Sequence, residues 1–158
     1  MIEKDIENRI LQSLSEAGVS CADFGGLWQE DKTERPEDAV IVRVVVNPLS
    51  LVDGKTRRTT VEIAVAVRRE CDPDGTLFST VSETLLETLG GWMTDYHSAV
   101  EAIRCEGFIP STLIVTGSDG NVEIESDPIS NLTTEVDWDE NRVTTFLKAT
   151  FSLQGVIV

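Results

Sequence analysis

Apolar and polar residues alternate most regularly near the middle of the chain, in two runs rich in β-branched residues at 40–46 and 59–68. In the second run every other residue from Val61 onward is apolar, which is typical of a strand with one buried face. Asn47-Pro48 and Asp53-Gly54 lie between the runs and favour turns. The pattern predicts a long β-hairpin at the centre of the fold.

A first helix is predicted at the N-terminus, where apolar residues recur at every fourth position and charged residues fill the gaps. The apolar stripe consists of Ile2, Ile6, Ile10 and Leu14. Gly18 fits the position that ends a helix, so one face of this segment should pack on the sheet. Residues 19–28 predict a short strand or an irregular crossing with Trp28 partly buried, and the polar residues 30–38 predict a surface loop.

The main helix is predicted after the turn sequence Asp72-Pro73-Asp74-Gly75. Its apolar stripe, again at four-residue spacing, consists of Leu77, Val81, Leu85 and Leu89. Thr80 and Glu83 have the spacing of a capping box, which marks the first turn of a helix. Gly90-Gly91 is predicted to end this helix, and a shorter helical segment follows at residues 98–103.

The last third of the chain returns to strand patterns. Residues 113–116 and 122–125 flank a glycine-containing turn and predict one hairpin, and residues 132–138 and 143–158 predict another around Asp139-Glu140-Asn141. Strands flank one main helix without a regular βαβ alternation. The sequence therefore predicts a single α+β domain over residues 1–158, with a mainly antiparallel sheet built from hairpins.

The charge of the chain limits its partners. It carries 28 acidic and 13 basic side chains, for a formal net charge of −15. Nucleic-acid binding needs clustered Lys and Arg to neutralise phosphates, so neither a general nor a sequence-specific nucleic-acid binder is expected. Anionic membrane surfaces are disfavoured for the same reason.

The cysteines and the N-terminus favour an intracellular setting. Cys21, Cys71 and Cys105 are far apart, and an odd number without a repeated spacing does not form a disulfide framework. The charged N-terminal residues lack the apolar segment of a signal peptide, and no apolar run approaches the roughly 20 residues of a membrane helix. We therefore expect a cytoplasmic protein with reduced thiols.

His97 is the only histidine and lies next to Asp95 and Tyr96. A histidine–carboxylate pair can perform acid–base chemistry. No nucleophile motif and no cofactor motif accompany it, and a histidine at a helix corner is more often a capping or surface residue. The sequence therefore predicts no catalytic residue and no cofactor, and the protein is not expected to be an enzyme.

An acidic tract lies between Asn121 and Asn141 and contains no Lys, Arg or His. Its seven carboxylates are Glu123, Glu125, Asp127, Glu135, Asp137, Asp139 and Glu140. Carboxylates can bind Ca²⁺ or Mg²⁺, but the spacing matches no EF-hand loop. We interpret the tract as a solvated acidic surface and predict no metal site.

Lys55, Arg57 and Arg58 form a basic cluster at the tip or base of the central hairpin. Such charges can simply protect a sheet edge from aggregation. They can equally contact the acidic surface of another copy or of a partner. The interface hypothesis pairs this cluster with carboxylates of the acidic tract, namely Glu123, Glu125, Asp137 and Asp139.

The order of these elements resembles the small tail-terminator and tail-completion proteins of tailed bacteriophages and prophages. The resemblance rests on the N-terminal helix, the long hairpin with its protruding loop, the following helix and the closing strand FLKATFSLQGV at residues 146–156. It implies a structural protein that forms a ring, a hexamer, which caps the tail tube and joins it to the head. The implied partners are other copies of the chain and tail-tube or neck proteins, in the bacterial cytoplasm and then in the virion.

Two other classes of function stay open from the sequence. One is a small bacterial α+β ligand-binding domain or enzyme that uses the concave face of the sheet. The other is a subunit of a complex unrelated to phages. A closed pocket lined by His97 and several carboxylates would favour the enzyme, whereas a flat sheet with exposed hairpin loops would favour the ring.

Overall fold

The structure is a computed structural model that describes residues 1–19, 40–111, 113–116, 122–137 and 144–158. The expected crossing beyond Val19, the surface loop at 30–38 and the turn at Asp139-Glu140-Asn141 lie outside these residues. The elements are α1 (Ile2–Glu16), β1 (Val40–Val46), β2 (Ser50–Asp53), β3 (Thr56–Arg68), α2 (Thr76–Thr94), α3 (Tyr96–Ile103), β4 (Phe108–Pro110), β5 (Leu113–Thr116), β6 (Val122–Ser126), β7 (Ile129–Asp137) and β8 (Thr144–Ile157).

Six antiparallel strands form one sheet, in which β3 and β8 are the central strands. These two strands pair from Thr56 opposite Val156 to Arg68 opposite Thr144. On the outer side of β3 lie β1 and β2, one after the other, and on the outer side of β8 lie β7 and β4. The sheet is therefore four strands wide. The β5–β6 hairpin forms a separate two-stranded sheet.

The predicted central hairpin is confirmed, because β1 pairs antiparallel with β3 over its whole length. The turn-rich gap between the two runs also contains a strand that the sequence pattern did not indicate: Ser50–Asp53 forms β2 and continues along the same edge of β3. Three hydrogen bonds bridge the break between β1 and β2, one of them from the Asn47 side-chain amide to the Thr60 oxygen at 3.1 Å. The Asn47 N–H donates to the Thr60 oxygen at 3.1 Å, and the Thr59 hydroxyl donates to the Asn47 oxygen at 2.6 Å.

The core lies between the sheet and the helices, as an α+β fold requires. The alternating apolar residues of β3 and the matching residues of β8 face the helices and are buried. Together with the helices they contribute Val61, Ile63, Val65, Leu147, Ala149, Phe151, Leu153, Ile6, Ile10, Leu14, Leu85, Leu89 and Ile103 to one hydrophobic cluster.

The first helix follows its predicted pattern and packs beside β1. Gly18 adopts a φ of 92°, which confirms that it ends the helix. Two carboxylates of α1 accept hydrogen bonds from backbone at the end of β1: Glu7 from the Val46 N–H at 3.0 Å and Glu3 from the Leu49 N–H at 3.4 Å. These bonds attach the helix to the point where the sheet edge passes from β1 to β2.

The main helix begins earlier than its predicted capping box. It starts at Thr76, after a turn in which Gly75 has a φ of 73°. The Asp72 carboxylate accepts from the Leu77 and Phe78 N–H groups, both at 2.9 Å, and so caps the helix from the preceding turn. Thr80 instead lies inside the helix and donates its hydroxyl to the Thr76 oxygen at 3.0 Å. The capping-box prediction is therefore wrong.

The prediction that Gly90-Gly91 ends the main helix is also wrong, because the helix continues to Thr94. Trp92 extends the apolar stripe by one turn and is buried. Burial of this large side chain outweighs the preference of glycine for unfolded backbone, which amounts to about 1 kcal/mol per residue. The predicted short helix at residues 98–103 is confirmed as α3, which begins at Tyr96.

Candidate functional site

His97 and Asp95 form a helix cap. The Asp95 carboxylate accepts from the Ser98 hydroxyl at 2.8 Å and from the His97 backbone N–H at 3.1 Å. These contacts, that of Ser98 first, lower the pKa of Asp95 below its ordinary value. The His97 ring is exposed and lies edge-on to Tyr96. Asp95 is therefore the N-cap of α3, and its carboxylate is hydrogen-bonded to the first turn of that helix.

The cysteines that the structure describes differ in exposure. Cys71 is exposed at the end of a single 3₁₀ turn, and Cys105 is half-buried. Burial, followed by the charge of Asp5, raises the pKa of the Cys105 thiol, so its nucleophilic thiolate is disfavoured. Cys21 lies outside the described residues. Within the described residues no three His, Cys, Asp or Glu side chains lie together as metal ligands.

The basic cluster lies at the end of the sheet where β2 turns into β3, and it is divided between that turn and β3. Only Lys55 is in the turn, where it is exposed, because β3 already begins at Thr56. The Arg57 guanidinium folds back and donates to the Gly54 and Thr56 oxygens at 3.1 and 3.3 Å. Arg58 donates to the side-chain Oε1 of Gln154 at 3.3 Å. Since neighbouring strand residues point to opposite faces, the two arginines do not form one patch.

The predicted acidic partners are divided between two parts of the fold. Glu123 and Glu125 belong to β6, in the separate hairpin. Asp137 ends β7 opposite Phe146, whereas Arg58 is opposite Gln154 on the same strand β8. At about 3.3 Å per residue this separation is roughly 26 Å along the strand. Asp139 lies outside the described residues. Within one copy, then, Asp137 and the basic turn lie at opposite ends of the sheet.

Gln154 is the junction between the sheet and the small hairpin, and sequence analysis did not identify it. Its backbone N–H donates to the Pro128 oxygen at 3.1 Å, and its carbonyl accepts from the Ser111 N–H at 3.0 Å. The chain therefore leaves the sheet after Ser111 and returns at Pro128 beside a single residue. In the sequence, Gln154 only continues the alternation of polar residues along the closing strand after Thr150 and Ser152, so nothing there set it apart. Its buried position explains why its side chain needs a partner, and Arg58 supplies one.

The face of the sheet that points away from the helices is polar along most of β3 and β8. Lys148 and Glu62 form an ion pair across these strands at 3.5 Å, with more than a third of each side chain exposed. Such a pair contributes little to stability because water screens it. Threonine and serine continue the polar face on β8 at Thr150 and Ser152. The described residues of this surface along β3 and β8 are mainly polar, whereas ligand pockets are lined mainly by apolar side chains.

Exposed apolar side chains occur on both outer edges of the sheet. All four residues of β2 are exposed, with Leu51 at 66% and Val52 at 49%. Val136 on β7, at the opposite edge, is 39% exposed. Among the described residues β2 pairs only with β3, so its outer backbone groups have no strand partner there. Exposed apolar edge strands are ready to pair with another chain.

A groove with a volume of about 340 Å³ lies between the three helices. Two of its polar side chains, those of Ser13 and Arg9, hydrogen-bond across from α1 to α3. The Ser13 hydroxyl donates to the Ala102 oxygen at 2.5 Å, and the Arg9 guanidinium donates to the Glu101 oxygen at 2.6 Å. His97 is not among the residues that line it. The groove is open and serves helix–helix contact.

Comparisons with known proteins leave the surfaces as the basis for assigning a function. The chain matches no protein-family model and no curated protein sequence. Within the described ranges, each helix is too short or too polar to cross a lipid bilayer. In the part of the chain that the structure describes, the features that stand out are the two outer edges of the sheet, its polar face and the hairpin that starts beside Gln154.

Proposed function

We propose that this chain is a structural assembly protein resembling the tail terminators of phages and prophages. Copies of it form a ring that caps a tail tube and joins it to the head. The protein acts in the bacterial cytoplasm and then as part of the virion, and it has no enzymatic activity. One observation carries the proposal: within the described residues, the outer strands on both sides of the sheet have no further strand partner and expose apolar side chains.

The two edges suit a ring because they run in opposite directions. β2 is antiparallel to β3, β3 to β8, and β8 to β7, so the outer strands β2 and β7 are antiparallel as well. When copies are related by rotation about an axis along the strands, one edge of each copy faces the other edge of the next. Closing the ring covers every edge, which removes the aggregation hazard that uncovered edges present to a monomer.

The charge supports the same function. A net charge of −15 makes the copies repel double-stranded DNA, and counterion release cannot drive binding without basic clusters. A polar, acidic ring therefore lets DNA pass through its opening without adhering to the wall. The polar face of the sheet, with Thr60, Thr150 and Ser152, is the surface best suited to line that opening.

The mass in solution tests this proposal. Size-exclusion chromatography with light scattering, at protein concentrations from 1 to 100 µM (about the range used for assembly), should give a discrete species near six times the 17.3 kDa of one chain. Negative-stain electron microscopy of that species should show closed rings with a central opening. A mass of 17.3 kDa at every concentration, with no rings on the grid, would contradict the proposal.

A further inference from the structure

We propose that the β5–β6 hairpin of one copy docks against the β2 edge of the next copy. The inference rests on the proposed ring and specifies the contact that closes it. The occupant of the exposed β2 edge is thus a second copy of this chain.

The positions of the two elements along the sheet carry the first step. β2 lies beside residues 56–58 of β3, and these pair with residues 154–156 of β8. The hairpin leaves the opposite edge of the sheet at Gln154. Both elements therefore lie at the same end of the sheet, on opposite edges. In a ring whose axis follows the strands, the hairpin of one copy lies level with the β2 edge of its neighbour.

The second step is the incomplete pairing of both elements. β5 and β6 pair only with each other within the described residues, and a two-stranded hairpin is marginally stable by itself in water. β2 is an outer strand with all four residues exposed, including Leu51 and Val52. β5 and β6 contain four and five residues, so either matches the length of β2. Docking adds a third strand to the hairpin and covers the apolar edge.

Charge complementarity selects a second copy as the occupant. Residues 105–141 contain no Lys, Arg or His, and β6 contributes Glu123 and Glu125. Around β2, the basic side chains are those of Lys55, exposed in the turn, and of Arg57 and Arg58, which are hydrogen-bonded within their own copy. Against them stands one carboxylate, that of Asp53 on β2 itself. An acidic hairpin against this edge, whose net charge is positive, offsets the repulsion between copies that all carry a charge of −15.

A pair of matched substitutions tests the position of the contact. Leu51→Asp places a negative charge on the β2 edge, and Leu86→Asp places the same charge at an exposed position of α2 that belongs to neither sheet edge. We expect Leu51→Asp to weaken ring formation at least tenfold in sedimentation velocity, and Leu86→Asp to change it less than threefold. Circular dichroism melts check that both variants fold. If Leu51→Asp does not fold, the milder change Leu51→Ser replaces it in the assembly measurement.

Charge exchange tests the pairing itself. Lys55→Glu should weaken assembly, and so should Glu123→Lys combined with Glu125→Lys. Because the triple variant restores opposite charges across the contact, it should recover assembly to within threefold of the wild type at 50 mM NaCl, roughly where the Debye length exceeds 10 Å. The advantage of the triple variant over Lys55→Glu should shrink at high salt.

The outcomes separate the contact from the ring. If the wild type forms rings and neither Leu51→Asp nor Leu51→Ser weakens them, the contact lies elsewhere while the ring stands. Equal losses in Leu51→Asp and Leu86→Asp, or a triple variant no better than Lys55→Glu, would also overturn the contact. A wild type that remains monomeric would overturn the ring and the contact together.

Discussion

Phe108 packs directly against the backbone of Gly155. A Cβ atom at Gly155 would come within 2.2 Å of Phe108 Cζ and 2.7 Å of the Ile109 oxygen. The Phe108 ring is fully buried, and Gly155 pairs with Pro110 on the adjacent strand β4. The close approach of β4 to β8 therefore depends on the absence of a side chain at this position.

Gly155→Ala should destabilise the protein by about 1–3 kcal/mol, because the buried ring and the Ile109 carbonyl must both move to admit a methyl group. Urea unfolding with an unchanged m-value measures the loss. Phe108→Leu in the Gly155→Ala background should cost less than the sum of the two single changes, since a smaller side chain relieves the clash. A single variant as stable as the wild type would show that β4 can shift freely.

Gly90→Ala should have the opposite effect from the same chemical change. Gly90 and Gly91 lie inside α2, and a Cβ atom at either meets no atom within 4 Å. Each replacement should stabilise the protein by about 0.5–1 kcal/mol, because alanine loses less backbone entropy in a helix. Thermal and urea melts measure the gain. Destabilisation instead would place the end of the helix at Gly90, as the sequence pattern had indicated.

Leu85→Ala and Leu86→Ala form a matched pair on adjacent positions of α2. Leu85 is fully buried in the core, whereas Leu86 is 36% exposed. Leu85→Ala should cost about 2–5 kcal/mol, since it removes buried contacts and leaves a cavity. Leu86→Ala should cost less than about 1 kcal/mol. Equal losses at the two positions would show that the helix is rotated relative to the sheet.

Asp95 should make stability depend on pH in the acidic range. Its pKa is lowered in the folded protein, first by the Ser98 hydroxyl, from the model-compound value of 3.8. A lowered pKa stabilises the fold above that value, and the contribution is lost as the pH falls through the folded-state pKa. Asp95→Asn should therefore lower the melting temperature at pH 7, and the difference from the wild type should shrink with acidification.

Ser98→Ala provides the control for this titration, because it removes the largest cause of the shift and leaves the carboxylate in place. Its pH profile should lie between those of the wild type and Asp95→Asn. If the gap between the wild type and Asp95→Asn stayed constant down to about pH 2, below the titration of an aspartate, the charge of Asp95 would contribute nothing to stability.

Several features were accessible from sequence because they depend on neighbours within one turn or one strand. The period of two from Val61 to Val67 and the four-residue stripe from Ile6 to Leu14 predicted which faces are buried, and both faces are buried in the structure. The left-handed Gly18 followed from its place after the apolar stripe. Such local patterns were sufficient for the α+β class and for the hairpins at the centre and the C-terminus.

Only the tertiary structure decided how segments that are distant in sequence lie relative to one another. Arg58 and Gln154 meet although 96 positions separate them, and that contact depends on the register of β3 against β8. Both ends of α2 differ from the boundaries that local motifs predicted. Asp72 caps the start of the helix from the preceding turn, and the burial of Trp92 extends the helix beyond Gly90-Gly91. The placement of β2 and the β5–β6 hairpin at the same end of the sheet has the same origin. Pairing energy is gained only when strands far apart in sequence align, so periodicity within one segment cannot specify it.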